Sequence, residues 1–128
     1  MERVKFVEHR GSKILLIDFR DLDSKQVLEV EERVREVVGT RPRDSVLTLA
    51  DYTGSTIDRE VATRIKEVLV FDRPYVKRSA WVGVEDLPKA FYEGFRMFSR
   101  RDFPTFRTRE EAMDWLVSEE PNRLASPA

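Results

Sequence analysis

The chain has 128 residues, enough for one domain with a two-layer core and too few for two cores. Its formal charge is −1 with 37% charged residues, a balance that demands neither a nucleic acid nor an anionic membrane as partner. It holds no cysteine and a single histidine, His9, which excludes disulfides, thiolate nucleophiles, thiolate zinc sites and a Cys–His dyad, and leaves carboxylates as the donors for a hard cation.

The opening stretch, residues 1–13, lacks the apolar core of a signal peptide, and no apolar run approaches transmembrane length. A cytoplasmic, soluble protein is expected. Residues 3–9 and 13–19 read as two strands around a turn at Gly11, the second apolar on both faces as in a strand covered from both sides. Val27, Val30, Val34, Val37 and Val38 then recur at helical spacing behind Asp23 and Ser24 as caps, and Gly39 with Pro42 ends the helix. Residues 45–50 form a third strand. Ile57, Val61, Ile65, Val68 and Leu69 are the buried stripe of a second helix that stops before Pro74.

Residues 79–84 read as a fourth strand. A third helix carries Leu87, Ala90, Phe91, Gly94, Phe95 and Phe98 on one side. Residues 103–106 form a short edge strand, because Pro104 cannot donate to a central ladder. Thr108 and Glu111 make a capping box for a last helix with Ala112, Trp115 and Leu116 inward, and Trp81 is read as core too. The order β-β-α-β-α-β-α-β-α predicts an α/β domain over residues 1–118, with a mixed, mostly parallel sheet of about five strands and about four helices. Residues 119–128 are expected to be a frayed tail.

Three phrases, residues 46–55 (VLTLADYTGS), 77–84 (KRSAWVGV) and 106–116 (FRTREEAMDWL), resemble the STAS superfamily of sulphate transporters and anti-sigma-factor antagonists. The similarity is to its small stand-alone bacterial branch, like the sporulation antagonist and related to CRAL-TRIO lipid-transfer domains. The resemblance implies a non-catalytic regulatory domain that binds another protein, not an enzyme, with no cofactor and no metal. In phosphorelay members a serine directly after an aspartate, in an Asp-Ser-x-Gly turn, accepts phosphate at a helix N-terminus. Here Tyr52 stands at that position in Asp51-Tyr52-Thr53-Gly54, a departure from the motif, and Thr53 and Ser55 are the nearest candidate acceptors. The same residues also match the family's Asp-Leu-Ser-Gly pattern at the end of the preceding strand. Read without the family, the stretch is a helix entrance in which Ser55 or Thr56 caps and Gly54 permits the turn.

Two wider surfaces are candidates. In open parallel sheets ligands gather beyond the carboxyl ends of the strands, an edge that collects Arg20, Asp21, Asp23, Asp51, Tyr52, Glu85 and Asp86. Its carboxylates suit a partner's arginines or Mg²⁺, or simply favourable positions near helix N-termini. The second surface is the aromatic helix. Phe91, Tyr92, Phe95 and Phe98, with Arg96, Arg100 and Arg101, suit a homodimer face or a lipid or small apolar ligand, the alternative function. The plainer reading is an overfull core helix. His9, at the hairpin end, is read as an exposed turn residue without a role.

Overall fold

The computed structural model of the protein describes residues 2–118. The expected tail at 119–128 lies outside the described residues. Strands β1 (Val4–His9), β2 (Ser12–Asp18), β3 (Val46–Asp51), β4 (Val76–Val82) and β5 (Thr105–Phe106) lie side by side in chain order. β1 pairs antiparallel with β2, and every later pair is parallel. Helices α1 (Ser24–Val38), α2 (Arg59–Asp72), α3 (Lys89–Ser99) and α4 (Arg109–Leu116) fill the crossovers and the end. The expected fold class and element order are those observed.

Strand alternation divides the apolar residues into two cores. Leu15, Ile17, Val46, Ala50 and Trp81 face α1, α2 and α3, where Val27, Val34, Val61, Ile65 and Phe95 cover them. Ile14, Leu16, Leu47, Leu49, Ala80 and Val82 face α4 with its Ala112, Trp115 and Leu116. The molecule therefore has three layers rather than two, with Trp115 part of the α4 layer over the second face of the sheet.

Local chemistry keeps the expected ends of α1 and departs from expectation elsewhere. Asp23 caps α1 in a reciprocal box with Gln26, and Gly39 ends the helix in ordinary right-handed geometry. α2 is capped by Asp58, whose carboxylate accepts from the Val61 amide, so neither Ser55 nor Thr56 is its cap. Ile57 and Leu87 are buried just before their helices, and β4 begins three residues earlier than its apolar run. Phe98, expected inward, is 57% exposed, because Phe95 and Ser99 form the buried side of α3. Gly94 faces α2, where a Cβ would meet only the flexible end of the Lys66 side chain at 3.3 Å. His9 is not a free turn residue: its Nε2 lies 2.8 Å from an Asp114 carboxylate oxygen, tying the hairpin to α4.

Candidate functional site

Parallel pairing sets Asp18 and Asp51, the last residues of β2 and β3, directly beside each other. Both continue the alternation that points toward α4, and both are buried. Two carboxylates side by side and out of water need partners. Arg109, the first residue of α4, supplies them: its Nε donates to Asp51 Oδ2 at 2.7 Å and its Nη2 lies 3.3 Å from Asp18 Oδ1. Arg20 closes on Asp18 from above, with Nε and Nη2 each donating at 3.0 Å and its backbone N–H donating at 3.0 Å. Arg3 stands 3.5 Å from the same carboxylate. Burial alone would raise the Asp18 carboxyl, but the Arg20 hydrogen bonds and the Arg20 and Arg109 charges hold it below the ordinary range.

The remaining oxygen of Asp51 turns the chain. Oδ1 accepts from the Thr53 backbone N–H at 3.0 Å and from the Thr53 hydroxyl at 2.7 Å, an Asx-type turn. Gly83, after β4, has φ +77 and packs on this turn, where a Cβ would collide with the Thr53 backbone and hydroxyl. The Asp51 turn, the Gly83 loop and the Asp21 backbone, whose N–H donates to Thr53 O at 3.0 Å, thus form one edge.

Of the expected edge residues, Arg20, Asp21, Asp51 and Thr53 are brought together here. Tyr52 is not: the alternation turns it to the opposite core, where it is 1% exposed and stacks on Phe19 at 4.7 Å. Ser55 is also buried, and its hydroxyl donates to Tyr52 O at 2.8 Å. Thr53 is therefore the exposed hydroxyl of the pair. Glu85, exposed, and Asp86 belong to a short 3-10 turn, Val84–Asp86, that follows β4. Among the described residues there is no cluster of three or more metal-ligating side chains, and the two edge acids are engaged by the chain's own arginines.

The aromatic helix divides similarly. Phe95 is core, packed edge-on to Trp81, and the half-buried Tyr92 donates its hydroxyl to Phe103 O at 2.8 Å. Phe91 is half-buried too. Met97, 80% exposed, and Phe98 are its outward apolar residues. An open groove of about 520 Å³ runs beside them, lined by Glu93, Arg96, Met97, Arg100, Arg101 and Asp102.

A second polar cluster was not anticipated. Glu31, Asp72 and Tyr52 are buried on the α1–α3 side of the sheet, near the inward-facing Thr48 and Ser79 of β3 and β4. Arg101 enters from the α3–β5 connection and donates to Ser79 Oγ at 2.6 Å and to Leu69 O at 2.9 Å. Burial, with the Glu31 charge adding and Arg101 opposing, pushes the Tyr52 phenol well above its ordinary value. A signal existed: Glu31 sits at i+4 from Val27 and Asp72 at i+4 from Val68, each on its helix's apolar stripe. No family model, curated protein or solved structure matches the chain.

Proposed function

We propose that this domain is a regulatory protein-interaction module resembling the anti-sigma-factor antagonists, acting through the strand-end edge rather than by catalysis. The observation that carries the reading is the filling of Asp18 and Asp51 by Arg20 and Arg109, which commits both acids to structure while Arg20, Asp21 and Thr53 remain exposed around them. A carboxylate held in that way is a poor general base, whereas a polar, hydrogen-bonded edge suits recognition by a protein. Phosphate on Thr53 would add about −1.5 to −2 charges beside Asp51 and disturb the turn that Asp51 holds. Quantitative affinity capture from native bacterial lysate with three baits tests this: Thr53→Ala retains a partner of the unmutated protein that Thr53→Glu loses. Equal recovery by all three baits refutes a switch at Thr53, and no specific partner on any bait refutes the edge as an interface.

The apolar-ligand or lipid reading draws on Met97 and Phe98, exposed beside the α3 groove. Native mass spectrometry with and without anionic lipid, from dilute to concentrated protein, distinguishes it from a homodimer. A monomer that takes up no lipid removes both roles from α3.

A further inference from the structure

Glu31 on α1 and Asp72 at the end of α2 are each 4% exposed, and Asp72 Oδ1 has no hydrogen-bond partner among the described residues. No ion pair within 4 Å reaches either carboxylate among the described residues, and the nearby Arg101 donates instead to Leu69 O and Ser79 Oγ. A buried, unpaired carboxylate costs several kcal/mol if charged, and the least demanding way to neutralise it is a proton. Arginines match the carboxylates in number around this cluster, but among the described residues none comes within 4 Å of Asp72 or Glu31. α1 contributes Glu31, Glu32 and Arg35, the end of α2 contributes Asp72 and Arg73, Tyr52 follows β3, and Arg101 comes from the α3–β5 connection. Arg101 also lines the outer groove beside Met97, so one side chain joins that surface to the buried acids.

We propose that Asp72, together with Glu31 and Arg101, is a proton-linked latch that holds the end of α2 and the α3–β5 connection onto the sheet. With Asp72 protonated the layer is closed over Ser79 and Trp81. With Asp72 ionised, the last turn of α2 and the Arg101 segment open to admit water, and the α3 groove changes shape with them. Burial pushes the Asp72 carboxyl up to about 7 against the opposing pull of Arg101 and Arg35. Burial raises Glu31 well above the ordinary carboxylate range, with the Asp72 charge adding to the effect and Arg101 opposing it.

Amide hydrogen exchange across pH, with Trp81 fluorescence in a Trp115→Phe background, tests the latch. Trp81 stacks on Phe103 at 4.3 Å, two residues beyond Arg101, and therefore reports on that segment. Once the intrinsic base-catalysed rate is divided out, opening of the last turns of α2 and α3 should increase up to about tenfold per pH unit from about pH 4 and level off above pH 7. Asp72→Asn should abolish that slope, and Glu31→Gln should alter it, while β2 and β3 show no such dependence. The same profile in the unmutated protein and Asp72→Asn overturns the proposal. Should Asp72→Asn not fold, the carboxyl carbon-13 shift of Asp72 in the unmutated protein decides: a midpoint near 7 supports the latch, and one near 4 overturns it.

Discussion

At the scale of single residues, the molecule handles buried charge in two opposite ways. Asp18 and Asp51 are met by arginines at hydrogen-bond distance, whereas Asp72 and Glu31 have none that close. Removing Arg109 would leave the buried Asp51 without its arginine, beside an Asp18 that still holds Arg20. Arg109→Met should therefore cost about 3 kcal/mol, the lower end for breaking a buried pair because Arg109 is partly exposed. Urea denaturation reads this directly, and adding Asp51→Asn to Arg109→Met should restore part of the loss. An unchanged urea midpoint would show that water already serves these acids. Asp51 was legible beforehand because it ends an apolar run at a turn signal. Asp18 and Arg109 were not: their meeting depends on strand register and on a helix that starts 58 residues after Asp51. Tyr52 was misplaced for a related reason, since adjacent positions along a strand point to opposite faces.

At the scale of elements, periodicity revealed which residues each helix buries but not what the helix buries them against. α4 presents Ala112, Trp115 and Leu116 at helical spacing, and that pattern is the same whichever face of the sheet it covers. Since, among the described residues, α4 is the helix packed against Leu49, Ala80 and Val82, its largest side chain carries much of that layer. Trp115→Ala should cost roughly 3–5 kcal/mol, and a denaturation midpoint equal to the parent's would mean that α4 does not dock. α3 gives a sharper comparison because Phe95 and Phe98 are three residues apart on one short helix. Phe95 is fully buried against Trp81, while Phe98 projects outward with Lys66 Nζ 5.9 Å from its ring centre. Phe95→Ala should lose about 3–5 kcal/mol, whereas Phe98→Ala should stay within about 1 kcal/mol of the parent. Comparable losses would place Phe98 under a covering surface, which oligomer-state measurements on the same two variants would then identify. Phe98 looked inward in the sequence because its spacing from Phe95 permits one stripe. In the structure the buried side of α3 is instead the one that carries Phe95 and Ser99.

For the whole molecule, the two treatments of charge predict a stability profile with a definite asymmetry in pH. Asp18 has a folded pKa below its unfolded value, so its contribution is complete above the unfolded value and is lost as pH falls through the folded one. Asp72 has the opposite sign. Its folded pKa of about 7 lies above the ordinary 3.8, so the folded state holds a proton that the unfolded state has released. Its contribution is therefore complete below about pH 4, declines as pH rises, and is gone above pH 7. Glu31 adds to that decline with the same sign. The two trends overlap so that stability peaks at mildly acidic pH and falls toward neutrality. Each pH unit of one group's shift corresponds to about 1.4 kcal/mol, so passing from pH 5 to 7 should remove at most about 3 kcal/mol through Asp72. For a domain of this size that is a fall in Tm on the order of 10 °C. Asp72→Asn mimics the protonated acid without its titration. It should match the parent near pH 4, exceed it increasingly up to pH 7 and by a constant margin at pH 8, and leave the acid limb governed by Asp18 untouched. Thermal scans of both proteins in matched ionic strength from pH 4 to 9 make the comparison. Parallel curves would assign the buried Asp72 an ordinary carboxylate behaviour, and with it a hydrated rather than a dry seam between α2 and the sheet.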